Sequence, residues 1–514
     1  MLSPGTRWLP CLLVLALAVT VGAEAVRPNS AEVFDNPKAK VPPPASPQRR
    51  SGAEGVPPLP LPATPLRRTE LKRQPSPPAL VGMINLSGAS YKIEDSRRVP
   101  TGGYPTTTID IERLMNVANS QLGIRYRYVP MSLESFSYDP TELPLLYLTG
   151  WTPMPELSDE LVGKLRRYLY DGGTLVLHAQ CGRGEFIESA RRQIARLLPD
   201  RPLAPLDTDS PLFHARHNIT QMRFRKDSEP FKTIPPYLEA VYLGCRPAII
   251  FSPIDLNCGW DVANRPIEGG VLYHQDDAID LGVNIITATL ANLPYARSWG
   301  VGSVLHEQNA DTRDQLVIAQ VIHDGDWDPT PHALANLMAA LQRNTTLNVQ
   351  FKRQTLDLAG GEVFQHPVLF MTGLRDFKLS DAQAQRLHSF LKGGGVLIAD
   401  ASAGNRAFDA AFRREIKRVL GDAELKPLPL DSPLYQMPYD LRSVGYTDFA
   451  KAQLPGLTTP SLEGVELNGQ LAVIYSSLGL SNGWEQLGFA YNRGYANDDA
   501  LRLGVNIFCY ALTH

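Results

Sequence analysis

Thiols and imidazoles are the side chains of this 514-residue chain that reach nucleophilic and proton-transfer chemistry near neutral pH. One cysteine stands out by its setting. Thr174-Leu-Val-Leu177 is a short apolar run, the pattern of a strand buried on both faces, and it leads into His178-Ala-Gln-Cys181-Gly-Arg-Gly184. The loop leaving the carboxyl end of such a strand is where open α/β sheets usually hold ligands. A thiol there becomes a nucleophile when a cation or a helix N-terminus favours its thiolate and an imidazole takes the proton. Arg183 and a helix expected over Glu185–Leu198 offer the first condition. His178, His214 or His217 offers the base, so Cys181, His178 and His214 are the catalytic candidates. The plainer role for Cys181 is an inert loop thiol or a disulfide partner.

Other polar clusters are candidates for binding. His323-Asp-Gly-Asp-Trp-Asp-Pro-Thr-Pro331 places Asp324, Asp326 and Asp328 around Trp327. Alternating aspartates resemble part of a calcium loop, but the glycine and the distal glutamate are not at the required spacing. Aspartates with aromatic rings also suit a sugar, so Asp324, Asp326, Trp327, Asp400, Asp255, Trp260 and Trp484 form the ligand-binding set. Turn formation by Asp and Gly and packing by Trp are the simpler explanation. His178, Cys181, His214, His217, Cys258 and His274 show no C-x-x-C or H-E-x-x-H spacing, so neither a metal site nor a cofactor is expected. Asn284 and Asn506, in Gly-Val-Asn, read as structural amides.

The elements that position these residues occur twice. Leu157–Ala179 (LSDELVGKLRRYLYDGGTLVLHA) matches Leu379–Ala401 (LSDAQAQRLHSFLKGGGVLIADA) at 9 of 23 positions. In both, a serine (Ser158, Ser380) caps an amphipathic helix, glycines stop it, and a buried strand follows. LLYLTG at Leu145–Gly150 pairs with VLFMTG at Val368–Gly373, AIIFSPIDLNCGW at Ala248–Trp260 with AVIYSSLGLSNGW at Ala472–Trp484, and DDAIDLGVNI at Asp276–Ile285 with DDALRLGVNI at Asp498–Ile507. Matches in one order at almost one offset mean a duplicated domain, too long a unit for a solenoid.

The expected first unit spans 80–293. It has strands at Leu80–Leu86, Ile124–Val129, Leu143–Leu148, Thr174–Leu177, Tyr237–Leu243 and Ala248–Phe251, and helices at Thr107–Leu122, Glu185–Leu198 and Ala278–Leu293. After a connector at 294–314 the second unit fills 315–514, with Thr330 capping and Pro331 opening its first helix. Strands alternating with helices imply mainly parallel sheets. The duplicated apolar helices offer a shared face on which the repeats would pack as a pseudo-symmetric pair.

Residues 1–25 read as a secretory signal, with Arg7, the apolar run Leu12–Val21 and the small-x-small site Ala23-Glu-Ala25. The run is too short for an ordinary membrane span, and no span is expected after cleavage. Residues 26–79 hold 14 prolines and few large apolar side chains, so they read as a disordered spacer. A net charge of −3 without a basic stripe excludes a nucleic-acid footprint. Export leaves Cys181, Cys245, Cys258 and Cys509. Cys245 and Cys258 flank one strand and are candidates to pair, but four cysteines allow three connectivities.

The strand–Thr-Gly pair, the Leu-Ser-Asp helix ending in Gly-Gly, the closing Leu-Gly-Val-Asn-Ile helix, the Trp-Asp-Pro-Thr-Pro loop and Asp255-Leu-Asn-Cys-Gly-Trp260 together resemble the bacterial family called domain of unknown function 4159. The resemblance covers about 80–514 as a tandem pair. It implies two flavodoxin-like domains, similar to class I glutamine amidotransferase-like and trehalose-utilisation domains. In such amidotransferase-like enzymes a cysteine sits on the strand-to-helix turn and a histidine activates it. Here the turn lacks a clear G-x-C-x-G, and the second repeat has Ala403 and Asp400 where the first has Cys181 and His178. The expectation is an exported (periplasmic or secreted), non-catalytic binding or assembly module with a protein or glycan partner in the cell envelope. The alternatives are a Cys181-dependent hydrolase or transferase and a carbohydrate-binding protein.

Overall fold

The computed structural model describes residues 76–84, 91–94, 97–100, 108–134, 136–260, 270–301, 317–346, 353–421 and 423–513. The expected signal segment, nearly all of the Pro-rich tract and most of the connector lie outside the described residues. Both repeats belong to one compact unit, Pro75–His514.

The first repeat runs β1 (Ala79–Ile84), α1 (Thr108–Leu122), β2 (Arg127–Met131), β3 (Leu145–Gly150), α2 (Asp159–Tyr170), β4 (Thr174–Ala179), α3 (Gly184–Leu197), β5 (Ala204–Pro205), β6 (Glu239–Leu243), β7 (Arg246–Ser252), α4 (Asn257–Trp260) and α5 (Gln275–Val301). The second runs β8 (Ala319–Ile322), α6 (Ala333–Asn344), β9 (Gln354–Asp357), β10 (Val368–Gly373), α7 (Asp381–Lys392), β11 (Val396–Ala401), α8 (Arg406–Leu420), β12 (Lys426–Pro427), β13 (Glu463–Leu467), β14 (Gln470–Ser476), α9 (Ser481–Trp484) and α10 (Asn497–Thr513). The two seven-stranded sheets have the same order, β2-β1-β3-β4-β7-β6-β5 and β9-β8-β10-β11-β14-β13-β12. Five strands of each are parallel in the flavodoxin-like arrangement. β6 and β13 run antiparallel to both their neighbours, because a tight turn, and no crossover helix, joins β6 to β7 and β13 to β14.

Local chemistry explains the elements. Ser158 accepts from the N–H of Leu161, and Ser380 with Gln383 completes a reciprocal capping box. Val162, Leu165, Tyr168 and Leu169 bury one face of α2. Its C-terminal carbonyls meet Arg246, a fully buried guanidinium that donates to the Leu169 and Gly173 oxygens at 2.5 and 3.0 Å. A cation suits the negative end of a helix dipole.

Several expectations are corrected. The strand placed at Ile124–Val129 begins three residues later, because Gly123 takes φ +65° and the chain must turn before it extends. The helix expected to end at Leu293 continues through Pro294 to Val301, carried by Tyr295, Ala296 and Trp299 packing into the core. Thr330 does not cap α6: its hydroxyl is buried without a hydrogen bond, and the helix begins at Ala333. The loop-rich stretch 199–236 holds strands Met222–Lys226 and Lys232–Ile234, which form a small sheet with Val271–Tyr273.

The repeats do not share an apolar helix face. The β6–β7 turn, at the amino edge of the first parallel sheet, enters the carboxyl edge of the second. Cys245 lies between Asn482, whose amide donates to its sulfur at 3.0 Å, and the Ser402 hydroxyl at 3.5 Å. Burial pushes this thiol up to about 12. Arg375 stacks on Tyr242 and donates to the Ala240 carbonyl, Arg201 pairs with Asp326 and Asp328, and Phe489 packs against Tyr295. Different surfaces meet, so the contact is heterologous and head-to-tail. Gly244 makes it possible: its φ is +61°, and a Cβ there would fall on the Tyr295 hydroxyl and the Trp299 indole. Replacing Gly244→Ala is expected to cost about 3 kcal/mol from left-handed strain plus overlap, read as a lowered urea midpoint; an unchanged midpoint would show that the turn is not constrained.

Candidate functional site

Each repeat carries the same strained turn after its fourth strand. Cys181 sits at φ 51°, ψ 21° and Ala403 at φ 52°, ψ 17°. This left-handed region costs a non-glycine residue on the order of 1–2 kcal/mol, so the surroundings must hold it. They do so through the N–H. The Cys181 N–H donates to Asp255 Oδ2 at 2.5 Å, and the Ala403 N–H donates to Asn482 Oδ1.

In each repeat a buried carboxylate, supplied from a different position, caps the short helix beside the turn. In the first repeat it is Asp255, on the loop after β7, whose Oδ1 also accepts from the Cys258 N–H at 3.0 Å and so caps the short α4. In the second it is Asp400, inside β11, which accepts from the N–H groups of Leu480 and Ser481 at 2.8 Å and the Ser481 hydroxyl at 2.9 Å, capping α9. Burial raises the Asp400 pKa while these donors pull it down.

His178 stands where Asp400 does and is wholly buried. Its Nε2 lies 2.6 Å from the Tyr147 hydroxyl, its Nδ1 3.4 Å from Thr149 Oγ1 and 3.9 Å from Asp255 Oδ1. Burial raises Tyr147 well above the ordinary phenol value, so the phenol stays protonated and shares a hydrogen bond with Nε2. Burial also lowers His178 to about 4, against the pull of Asp255, so the imidazole is neutral at pH 7.

Cys181 Sγ, Cys258 Sγ and an Asp255 oxygen all lie within 4.8 Å of one another, the one grouping of metal-ligand type found among the described residues. Both carboxylate oxygens already accept N–H bonds. The turn is closed to solvent: Cys181 is 1% exposed. Arg183 stacks over the Trp151 ring at 3.9 Å. His214 and His217 have partners of their own. His214 bonds Asn218 Oδ1 and the Thr208 carbonyl, and His217 bonds Gln121 and lies 3.6 Å from Asp280.

The ligand-binding candidates fall in separate places. Trp260 and Trp484 are corrected to core residues, 2% and 0% exposed, each donating its indole N–H to a carbonyl of the closing helix (Ala278, Ala500). Neither ring face is open to a sugar. Asp326 is buried in the ion pair with Arg201, and Trp327 is half-buried under Arg353, which also grips Asp328. Asp324 is exposed and accepts from the Lys378 N–H. The suggested Cys245–Cys258 pairing is corrected as well. The seven-residue strand Arg246–Ser252 between them spans roughly 20 Å, so they stand at opposite edges of the sheet.

Sequence reasoning missed an opening between the repeats. A cavity of about 220 Å³ lies where the repeats meet, lined by Asp207, His214, Tyr242, Cys245, Arg375, Ala403, Arg406, Phe449, Tyr491 and Arg493 among others. Its parts come from both repeats, so no linear spacing announces it. Arg406 pairs with Asp209 across it.

The family model described as a domain of unknown function (DUF4159) matches residues 103–290 and 317–512, and the chain belongs to that family, in two copies. No curated protein matches it. Among solved structures it is similar to a crystal structure of a ThuA-like protein from Bacteroides uniformis ATCC 8492, at 10% identity and a TM-score of 0.23, covering 40% of this chain and 96% of that one. No described helix is long and apolar enough to cross a membrane.

The buried imidazoles fix a pH response. His178 and His323 are both lowered to about 4 by burial, so their contribution is complete above the unfolded value of 6.5 and is lost as pH falls towards 4. Each is worth up to about 3 kcal/mol. His332, raised by its bond to Glu485, has the opposite sign and loses its contribution as pH rises through its folded value. Thermal midpoints are expected to fall steeply from pH 6.5 to 4 and less steeply in His178→Gln; equal slopes would mean that His178 is not buried neutral.

Proposed function

We propose that the chain is an exported, non-catalytic binding or assembly module. One observation carries this reading: among the described residues, neither strand-to-helix turn after β4 or β11 presents an accessible thiol beside a base. In the second repeat the turn residue is Ala403, which has no nucleophilic side chain, and Cys245 of the first repeat packs on the neighbouring Ser402 and Asn482. In the first repeat Cys181 and His178 are both buried, and the imidazole is bonded to Tyr147. Catalysis by thiolate requires a nucleophile that substrate can reach.

The cavity between the repeats is the place for a ligand. It offers aromatic faces (Tyr242, Phe449, Tyr491) beside three guanidinium groups (Arg375, Arg406, Arg493), the mixture that holds a polar or anionic group against an apolar body. A glycan or protein partner of the cell envelope fits this chemistry and the secretory pattern of residues 1–25.

Iodoacetamide labelling of the native protein across pH 5–9, read by peptide mass spectrometry, tests the reading. Cys181 is expected to stay unlabelled below neutral pH, with the mature chain starting at Val26. Fast labelling of Cys181 below pH 7 would replace the binding module by a thiol enzyme, and an intact Met1 terminus would overturn export.

A further inference from the structure

We infer that Cys181 and Cys258 form a disulfide that staples the strained turn of the first repeat to its short helix α4. The comparison of repeats carries this. Position 181 corresponds to Ala403 and position 258 to Asn482. In the second repeat these two positions are joined directly, because Asn482 Oδ1 accepts the Ala403 N–H. In the first repeat the same two positions carry sulfur, and the sulfurs lie within 4.8 Å of each other, neighbours across the gap that a bond of about 2.05 Å would close. The hydrogen bond of Asn482 is thus matched by a covalent link. The Cys181 N–H, left without an asparagine, is taken by Asp255.

Charge favours the disulfide over a metal at this place. Two thiolates beside the Asp255 carboxylate would put three negative charges in a buried site, and the Cys181 contact, burial and the carboxylate all raise the Cys258 thiol. A thiol held protonated is a poor metal ligand, whereas a disulfide needs no ionised sulfur in the finished site. The step balances as two thiols giving up two electrons and two protons, one S–S bond forming, with a protein or small-molecule disulfide as oxidant and reduced to its dithiol. Formation precedes burial, because the attacking thiolate must meet that oxidant before the turn closes. An extracytoplasmic destination supplies the oxidising environment. The bond encloses the whole chain between β4 and α4, including β5, β6 and β7.

The full chain, purified without reductant and unfolded in iodoacetamide, decides the matter by peptide mass spectrometry and metal analysis. A linked pair of peptides holding Cys181 and Cys258, with Cys245 and Cys509 alkylated, is the expected result. Dithiothreitol is then expected to lower the melting temperature by roughly 5–10 °C in the native chain, and by less in Cys181→Ala/Cys258→Ala. Alkylation of both cysteines after prolonged incubation with oxidised glutathione would overturn the disulfide, as would one equivalent of bound zinc with both thiols protected. This readout is separate from the amino terminus and from native labelling, so failure of export or of the binding reading is distinguishable from failure of the disulfide.

Discussion

The arrangement of the molecule depends on one insertion: the Gly244-Cys245 turn of the first repeat entering the carboxyl edge of the second. That edge is where open α/β sheets bind ligands. Here the chain fills it with its own hairpin, held by the Asn482 amide, the Ser402 hydroxyl and a ring of arginine contacts. The consequence is asymmetry. The carboxyl edge of the second repeat receives the hairpin, while in the first the turn at Cys181 is buried and the strand Val271–Tyr273 lies against Gly182. A cavity lies beside the junction.

Duplication followed by divergence explains the chemistry of the two turns. Both repeats need a carboxylate to satisfy the N–H groups of a short buried helix, since an unpaired buried donor is costly. The first repeat supplies it from the loop (Asp255) and the second from the strand (Asp400). Once Asp255 occupies the loop, position 178 is free to hold a neutral histidine bonded to a buried tyrosine. These residues are of catalytic types, and here they are buried, with His178 bonded to Tyr147.

Much of the fold was legible. Periodicity, glycine stops and serine caps located α2, α7, β4 and β11, because each depends on residues close in sequence. The internal repeat located the second sheet from the first. The antiparallel edge was not legible, since the short β6–β7 turn looks like any other break between apolar runs. Nor was the continuation of α5 through Pro294, which tertiary packing of Tyr295 and Trp299 sustains. At the site, the strained turn at Cys181 was found by its place after a buried strand, whereas Trp260 and Trp484 were misread because a tryptophan that packs and one that binds look alike in a sequence. The Cys258/Asn482 replacement was visible in the aligned repeats, but its meaning needed the distance to position 181.

The central claim is that the first repeat's hairpin seats in the second repeat's carboxyl edge, and a cross-link tests it most directly. Cys245 Sγ lies 3.5 Å from Ser402 Oγ, so Ser402→Cys places two sulfurs side by side from opposite repeats. The account predicts that mild oxidation yields a Cys245 cross-link to position 402 in the folded protein, with its melting temperature maintained or raised. A variant that folds but leaves both thiols open to alkylation after oxidation would contradict it.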